Sequence, residues 1–111
     1  DILSDIAAVV TGSMGLAPSA NINPEKEHPS MFEPVHGAAF DITGKGIANP
    51  LATISAVAMM LDHLGESTSA QKLDEAVARC LNERRVLTPD LGGTATTGQV
   101  GDEVVRILRE T

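Results

Sequence analysis

The chain has no tryptophan and no tyrosine, and only two phenylalanines, Phe32 and Phe40. Single-stranded nucleic acid therefore finds few aromatic platforms to stack on. Positive charge is also scarce: 8 Lys+Arg stand against 15 Asp+Glu, and the formal charge of -7 repels phosphate backbones. On both counts nucleic acid is not an expected partner. Cysteine occurs once, at Cys80, which rules out a disulfide or a Cys-based zinc site within the chain and fits a reducing cytoplasm. Apolar runs are short, and Ala56-Val57-Ala58-Met59-Met60-Leu61 falls far below the ~20 residues of a membrane span. Asp1 and Asp5 sit where a secretory leader carries positive charge, so no signal peptide is expected.

What remains is a globular complement. The 111 residues are 42% hydrophobic, enough for one small domain or part of a larger one. Apolar spacing predicts four helices. The first covers residues 1–11, with Ile2, Ile6, Val9 and Val10 on one stripe and Gly12 as its stop. The second has Asn49 as N-cap, Pro50 in the first turn and Gly65 after its end. Its expected buried face is Leu51, Ile54, Ala58 and Leu61, widened by Val57, Met60 and Leu64. The third starts near Ser69 and carries Leu73, Ala76, Val77, Cys80 and Leu81. The fourth follows Thr96-Thr97 and carries Val100, Val104, Ile107 and Leu108.

Residues 12–48 read differently, being rich in Gly, Pro, Asn and Ser. Two short extended segments are expected, Met14–Ala17 closed by Pro18, and Met31–Val35. Pro34 confines the second to an edge or a bulge. Two such strands cannot form the layer that four amphipathic helices would cover. The chain is thus either a small helical domain or a piece of a larger α/β protein. Long irregular segments in compact folds commonly carry function, so the chemistry is sought in this one.

Two features carry chemistry. Asp1 and Asp5 stand four residues apart, so a helix projects both carboxylates from one face. A divalent cation would relieve their repulsion; taken alone, the pair reads first as an ordinary complement to a helix macrodipole, and the cation reading needs the features that follow. The second feature is the stretch from Glu33-Pro34-Val35-His36-Gly37 to Ile47-Ala48-Asn49-Pro50. It lacks the third glycine of a dinucleotide fingerprint and the Ser or Thr of a P-loop. It nevertheless has a nucleotide loop's parts: His36 as a flat ring, Gly37 for close backbone approach, Asp41 for a ribose diol and Asn49 as an amide at a helix start. Alone it is also an ordinary Gly-rich turn.

The order of these features resembles the β-decarboxylating dehydrogenases, the isopropylmalate/isocitrate dehydrogenase family. An Asp-x-x-x-Asp opening is followed by Thr11–Ala20, then Glu33–Pro50, then Thr88-Pro89-Asp90-Leu91-Gly92-Gly93-Thr94. Asn21–Lys26 and Pro29–Phe32 look most like the tartrate/D-malate branch. The resemblance runs the length of the chain and covers about the last third of a family member.

This resemblance implies an α/β fold: the C-terminal part of an isopropylmalate dehydrogenase-like domain, mostly helical with a few short strands and a long nucleotide-binding loop. Its parts would be a metal-site helix at 1–11, an NAD-binding loop at 33–50 and C-terminal helices at 51–111. Asp1 and Asp5 match ligands of Mg²⁺ or Mn²⁺. His36 and Asn49 match adenine contacts, Gly37, Ala38, Ala39 and Ile42 match the lining of the same pocket, and Asp41 matches the acid that holds the adenosine ribose. A carboxylate at that position implies NAD rather than NADP. Ala38 departs from a common Ser and Phe40 from a common Pro, and without the proline's fixed φ the loop loses more entropy on ordering. In the family the catalytic Tyr and Lys and the substrate arginines lie upstream of Asp1, so none of this chain's residues matches a catalytic position. The implied protein is a cytoplasmic, dimeric oxidoreductase that oxidises and decarboxylates a 2-hydroxy acid, with this chain inactive alone and prone to self-association. The alternative is a non-catalytic nucleotide-binding or interaction module derived from that family.

Overall fold

The computed structural model describes residues 15–110. The expected helix at 1–11, with Asp1 and Asp5, lies outside the described residues. Among those described, a two-stranded antiparallel hairpin, β1 (Pro18–Asn21) and β2 (Met31–Pro34), precedes three helices, α1 (Leu51–His63), α2 (Ser67–Glu83) and α3 (Thr97–Arg109). Short 3₁₀ turns at Phe40–Ile42 and Pro89–Leu91 punctuate the connections. This is the mostly helical, strand-poor part of an α/β fold that the sequence implies.

The first strand is displaced from its expected place. It begins at Pro18 rather than ending there. The register explains how both prolines fit. Pro18 pairs with Pro34, one step inside the Val35 N–H to Ala17 carbonyl bond of 2.9 Å. Antiparallel pairs alternate between hydrogen-bonded and non-hydrogen-bonded positions, so the two prolines share a position whose N–H groups would point away from the partner strand. Neither costs the ladder a bond.

Helix α1 starts one residue later than the sequence places it, at Leu51 with Pro50 as its N-cap. Asn49 Oδ1 accepts from the Leu51 N–H at 2.9 Å, and the Ile54 N–H donates to the Pro50 carbonyl. It ends in a Schellman motif: the Glu66 N–H reaches the Leu61 carbonyl and the Gly65 N–H reaches that of Asp62. Its buried residues are Leu51, Ala52, Ala56 and Ala58. Val57 and Leu64, expected on the inner face, are 39% and 60% exposed. The three alanines bring the neighbouring elements close on their own side, and the face carrying Val57 is left outside. Helix α2 begins two residues before its expected start. Helix α3 is capped by a reciprocal pair, Gln99 N–H to Thr96 Oγ1 and Thr96 N–H to Gln99 Oε1, an arrangement worth about 1 kcal/mol.

The hairpin packs on α1, α1 on α2, and α2 on α3. The core joins Leu51, Ala76, Val77, Cys80, Val100, Val104 and Ile107, with Ile54, Leu73 and Leu108 packed against it. The apolar stripes of the helices thus cover one another rather than waiting for a missing sheet. No helix among the described residues is long and apolar enough to cross a membrane.

Candidate functional site

After β2 the chain folds back toward the start of α1. His36 Nδ1 lies 3.0 Å from the Gly37 carbonyl oxygen. A carbonyl only accepts, so Nδ1 is the donor in this contact. Ala39 then takes φ +49°, a left-handed conformation that costs a non-glycine residue about 1–2 kcal/mol. That turn starts the 3₁₀ segment Phe40–Ile42. Gly46, at φ +69°, bends the chain again toward Asn49.

These turns enclose a cavity of about 360 Å³. His36, Ala39 and Ile42 form one wall, Ile47, Ala48 and Asn49 a second, and Pro89 and Asp90 a third, with Gly15 at the junction. A Cβ on Gly15 would come 2.9 Å from Asp90 Oδ2 and 3.6 Å from Asn49 Nδ2, so the glycine lets the backbone pass close against this pair. The walls are bound to each other across 41 residues of sequence: Asn49 Nδ2 donates to Asp90 Oδ2 at 3.0 Å. Thr88, buried beneath, donates from Oγ1 to Asp90 Oδ1 at 2.5 Å. The lining is mostly apolar, with one imidazole and one amide–carboxylate pair, and the volume is near the lower end of the about 300–1,000 Å³ typical of small-molecule pockets. It suits a flat heterocycle and is too small for a whole dinucleotide.

A larger opening of about 740 Å³ lies between the end of α2 and α3, lined by Arg84, Arg85, Asp102, Glu103 and Arg106 among others. Gly92, Gly93 and Thr94 of the Thr88–Thr94 stretch reach it, but none of the expected cofactor residues does. Its best-placed cation is already spent, since Arg106 holds Glu103 at 2.6 Å. The smaller cavity therefore carries the site.

Four of the seven expected cofactor residues, His36, Ala39, Ile42 and Asn49, line one cavity. Gly37, Ala38 and Asp41 belong to the same segment but do not line it, and all three are exposed or half-exposed. Ile47 and Ala48 went unassigned although they sit inside the motif. Gly15, Pro89 and Asp90 are brought in only by long-range folding, which no local spacing announces. Among the described residues no group of three or more His, Cys, Asp or Glu side chains could hold a metal ion. The expected metal residues Asp1 and Asp5 lie outside them.

Residues 1–104 match the isocitrate/isopropylmalate dehydrogenase family model. The chain belongs to that family. It is 62% identical over 108 residues to a probable tartrate dehydrogenase/decarboxylase of Agrobacterium vitis, covering 97% of this chain and 30% of that protein. It is 51% identical over 112 residues to the decarboxylating D-malate dehydrogenase of Escherichia coli K12, covering 97% and 31%. Among solved structures, an isocitrate dehydrogenase from Methylococcus capsulatus superposes with a TM-score of 0.88 at 44% identity, over 97% of this chain and 32% of that one. The chain thus spans about 30% of the length of the curated relatives it matches. Within the family assignment, the His36–Asn49 segment and the Pro89–Asp90 turn together form the described pocket.

Proposed function

We propose that this chain supplies the adenosine-binding half of an NAD- and Mg²⁺- or Mn²⁺-dependent β-decarboxylating dehydrogenase of the tartrate/D-malate type, with isopropylmalate as the other substrate class the family names allow. The carrying observation is the cavity of about 360 Å³ shared by His36, Ala39, Ile42, Asn49 and Asp90. The apolar walls fit a base, with His36 presenting a ring face and Asn49 an amide edge. In this reading the ribose stays outside the cavity, beside exposed Asp41, whose carboxylate accepts from the diol and repels a 2′-phosphate.

Bound NAD supplies the hydride acceptor. The chain's own residues bind and orient its adenosine end; the 2-hydroxy acid, the catalytic groups and a homodimer partner belong to the intact enzyme. The metal half of the proposal rests on Asp1 and Asp5, too few ligands for six-coordinate Mg²⁺ unless other groups complete the shell. The isolated chain accordingly binds nucleotide and catalyses nothing.

Calorimetry with ADP-ribose and its 2′-phosphorylated counterpart tests this reading. ADP-ribose is expected to bind at least about tenfold more tightly, a difference of about 1.4 kcal/mol. Asp41→Ala narrows the gap without changing thermal stability. Equal affinity for both ligands would overturn the assignment of Asp41 and of NAD.

A further inference from the structure

Thr97 lies outside the pocket lining and yet holds it from behind. It is the first residue of α3, half-buried, and it grips the 44–49 loop twice. Its N–H donates to the Gly46 carbonyl at 2.9 Å, and its Oγ1 donates to the Ala48 carbonyl at 2.6 Å. Those two carbonyls bracket Ile47, and the second belongs to the residue before Asn49, so the clamp fixes the wall formed by Ile47, Ala48 and Asn49. Thr96 and Gln99 cap the same helix end reciprocally, in bonds that do not touch the 46–49 carbonyls. A backbone segment held at two carbonyls by one residue has little freedom to widen or close the cavity.

We infer that Thr97 is a positioning residue for the nucleotide pocket, acting through the 46–49 backbone rather than by touching the ligand. The inference deepens the nucleotide-binding reading and rests on it for the identity of the ligand. The clamp's effect on the loop is independent of that reading.

The test compares Thr97→Val, Thr97→Ala and Thr97→Ser with Thr96→Val in the 111-residue chain. The two measurements are backbone amide order parameters across residues 44–50 by NMR relaxation and ADP-ribose affinity by calorimetry. Valine or alanine at 97 removes the Oγ1 donor and keeps the backbone N–H, so the order parameters at 46–49 fall and ADP-ribose binds about five- to tenfold more weakly, within the range expected for one neutral hydrogen bond. Serine at 97 restores both. Thr96→Val loosens the helix cap and lowers the melting temperature, and leaves the loop's order parameters and the affinity in place. Unchanged order parameters at 46–49 in both the valine and alanine variants would overturn the inference, as would an equal fall in Thr96→Val. Absence of ADP-ribose binding in the unmodified chain would instead overturn the nucleotide reading, and the order-parameter comparison would still decide the clamp.

Discussion

Glu103 is the one buried carboxylate among the described residues, and its environment sets a pH dependence. Arg106 grips it through Nε to Oε1 at 2.6 Å and Nη2 to Oε2 at 3.1 Å, a two-pronged geometry suited to guanidinium and carboxylate. The same arginine reaches Glu110, and Arg79 binds Glu110 at 2.7 Å as well as Glu83, so the ends of α2 and α3 share one ionic network. The hydrogen bond from Arg106 holds the Glu103 carboxyl below the usual carboxylate range, and that from Arg79 does the same for Glu110. A group whose folded pKa is depressed stabilises fully above its unfolded value, roughly 4.3 for glutamate, and loses that contribution as pH falls through the folded value. Thermal melts from neutral to acid pH are therefore expected to show stability falling below about pH 4.5, and Glu103→Gln to lower the neutral melting temperature and flatten that acid limb. An unchanged acid limb in Glu103→Gln would show that other carboxylates control it. The network itself is hard to read from sequence, because Arg79 and Glu110 are 31 residues apart and only the packing of α2 on α3 joins them.

At the level of elements, the helices are the legible part. Asn49, Gly65 and the Thr96-to-Gln99 spacing each perform the capping chemistry that their residue types favour, so three helix ends lie close to where sequence puts them. The first strand is illegible because a proline at a non-hydrogen-bonded position opens a strand as readily as it closes one, and only the pairing partner decides which. Burial on α1 is likewise set from outside: Val57 matches the apolar spacing as well as Ile54 does, but the alanine side of the helix receives the neighbours. The hairpin has its own consequence. Among the described residues the sheet has two strands, packed on α1 and each with one unpaired edge, and an unpaired edge is a template for pairing with another chain. Exposed Met31 and Ile22 lie on and beside these strands, at 46% and 49% exposure. The chain is expected to self-associate through this element as concentration rises. Sedimentation equilibrium is the check: a mass that grows with concentration, and falls back to the monomer's when Met31→Lys charges the edge, fits the expectation. A concentration-independent monomer counts against it.

Over the whole molecule, the candidate site is a product of tertiary closure. The motif from Glu33 to Pro50 names one side of the pocket, and Pro89 and Asp90 provide the other, yet neither segment alone makes a cavity. The Asn49–Asp90 bond joins the two over 41 residues, and the Thr97 clamp ties the first to α3 over 49. Asp41 stands at the outside of this assembly, and the family's remaining machinery lies beyond the 30% of its relatives' length that the chain spans. The central proposal is therefore local: the pocket in this chain is proposed to bind adenosine. Its most direct test is a titration of isotopically labelled chain with ADP-ribose, followed through backbone amide chemical shifts. The account predicts shifts concentrated at His36, Ala39, Ile42, Ile47, Ala48, Asn49 and Asp90, reproduced by AMP. Shifts confined to the charged opening around Arg84 and Arg106, or none at millimolar nucleotide, would contradict it.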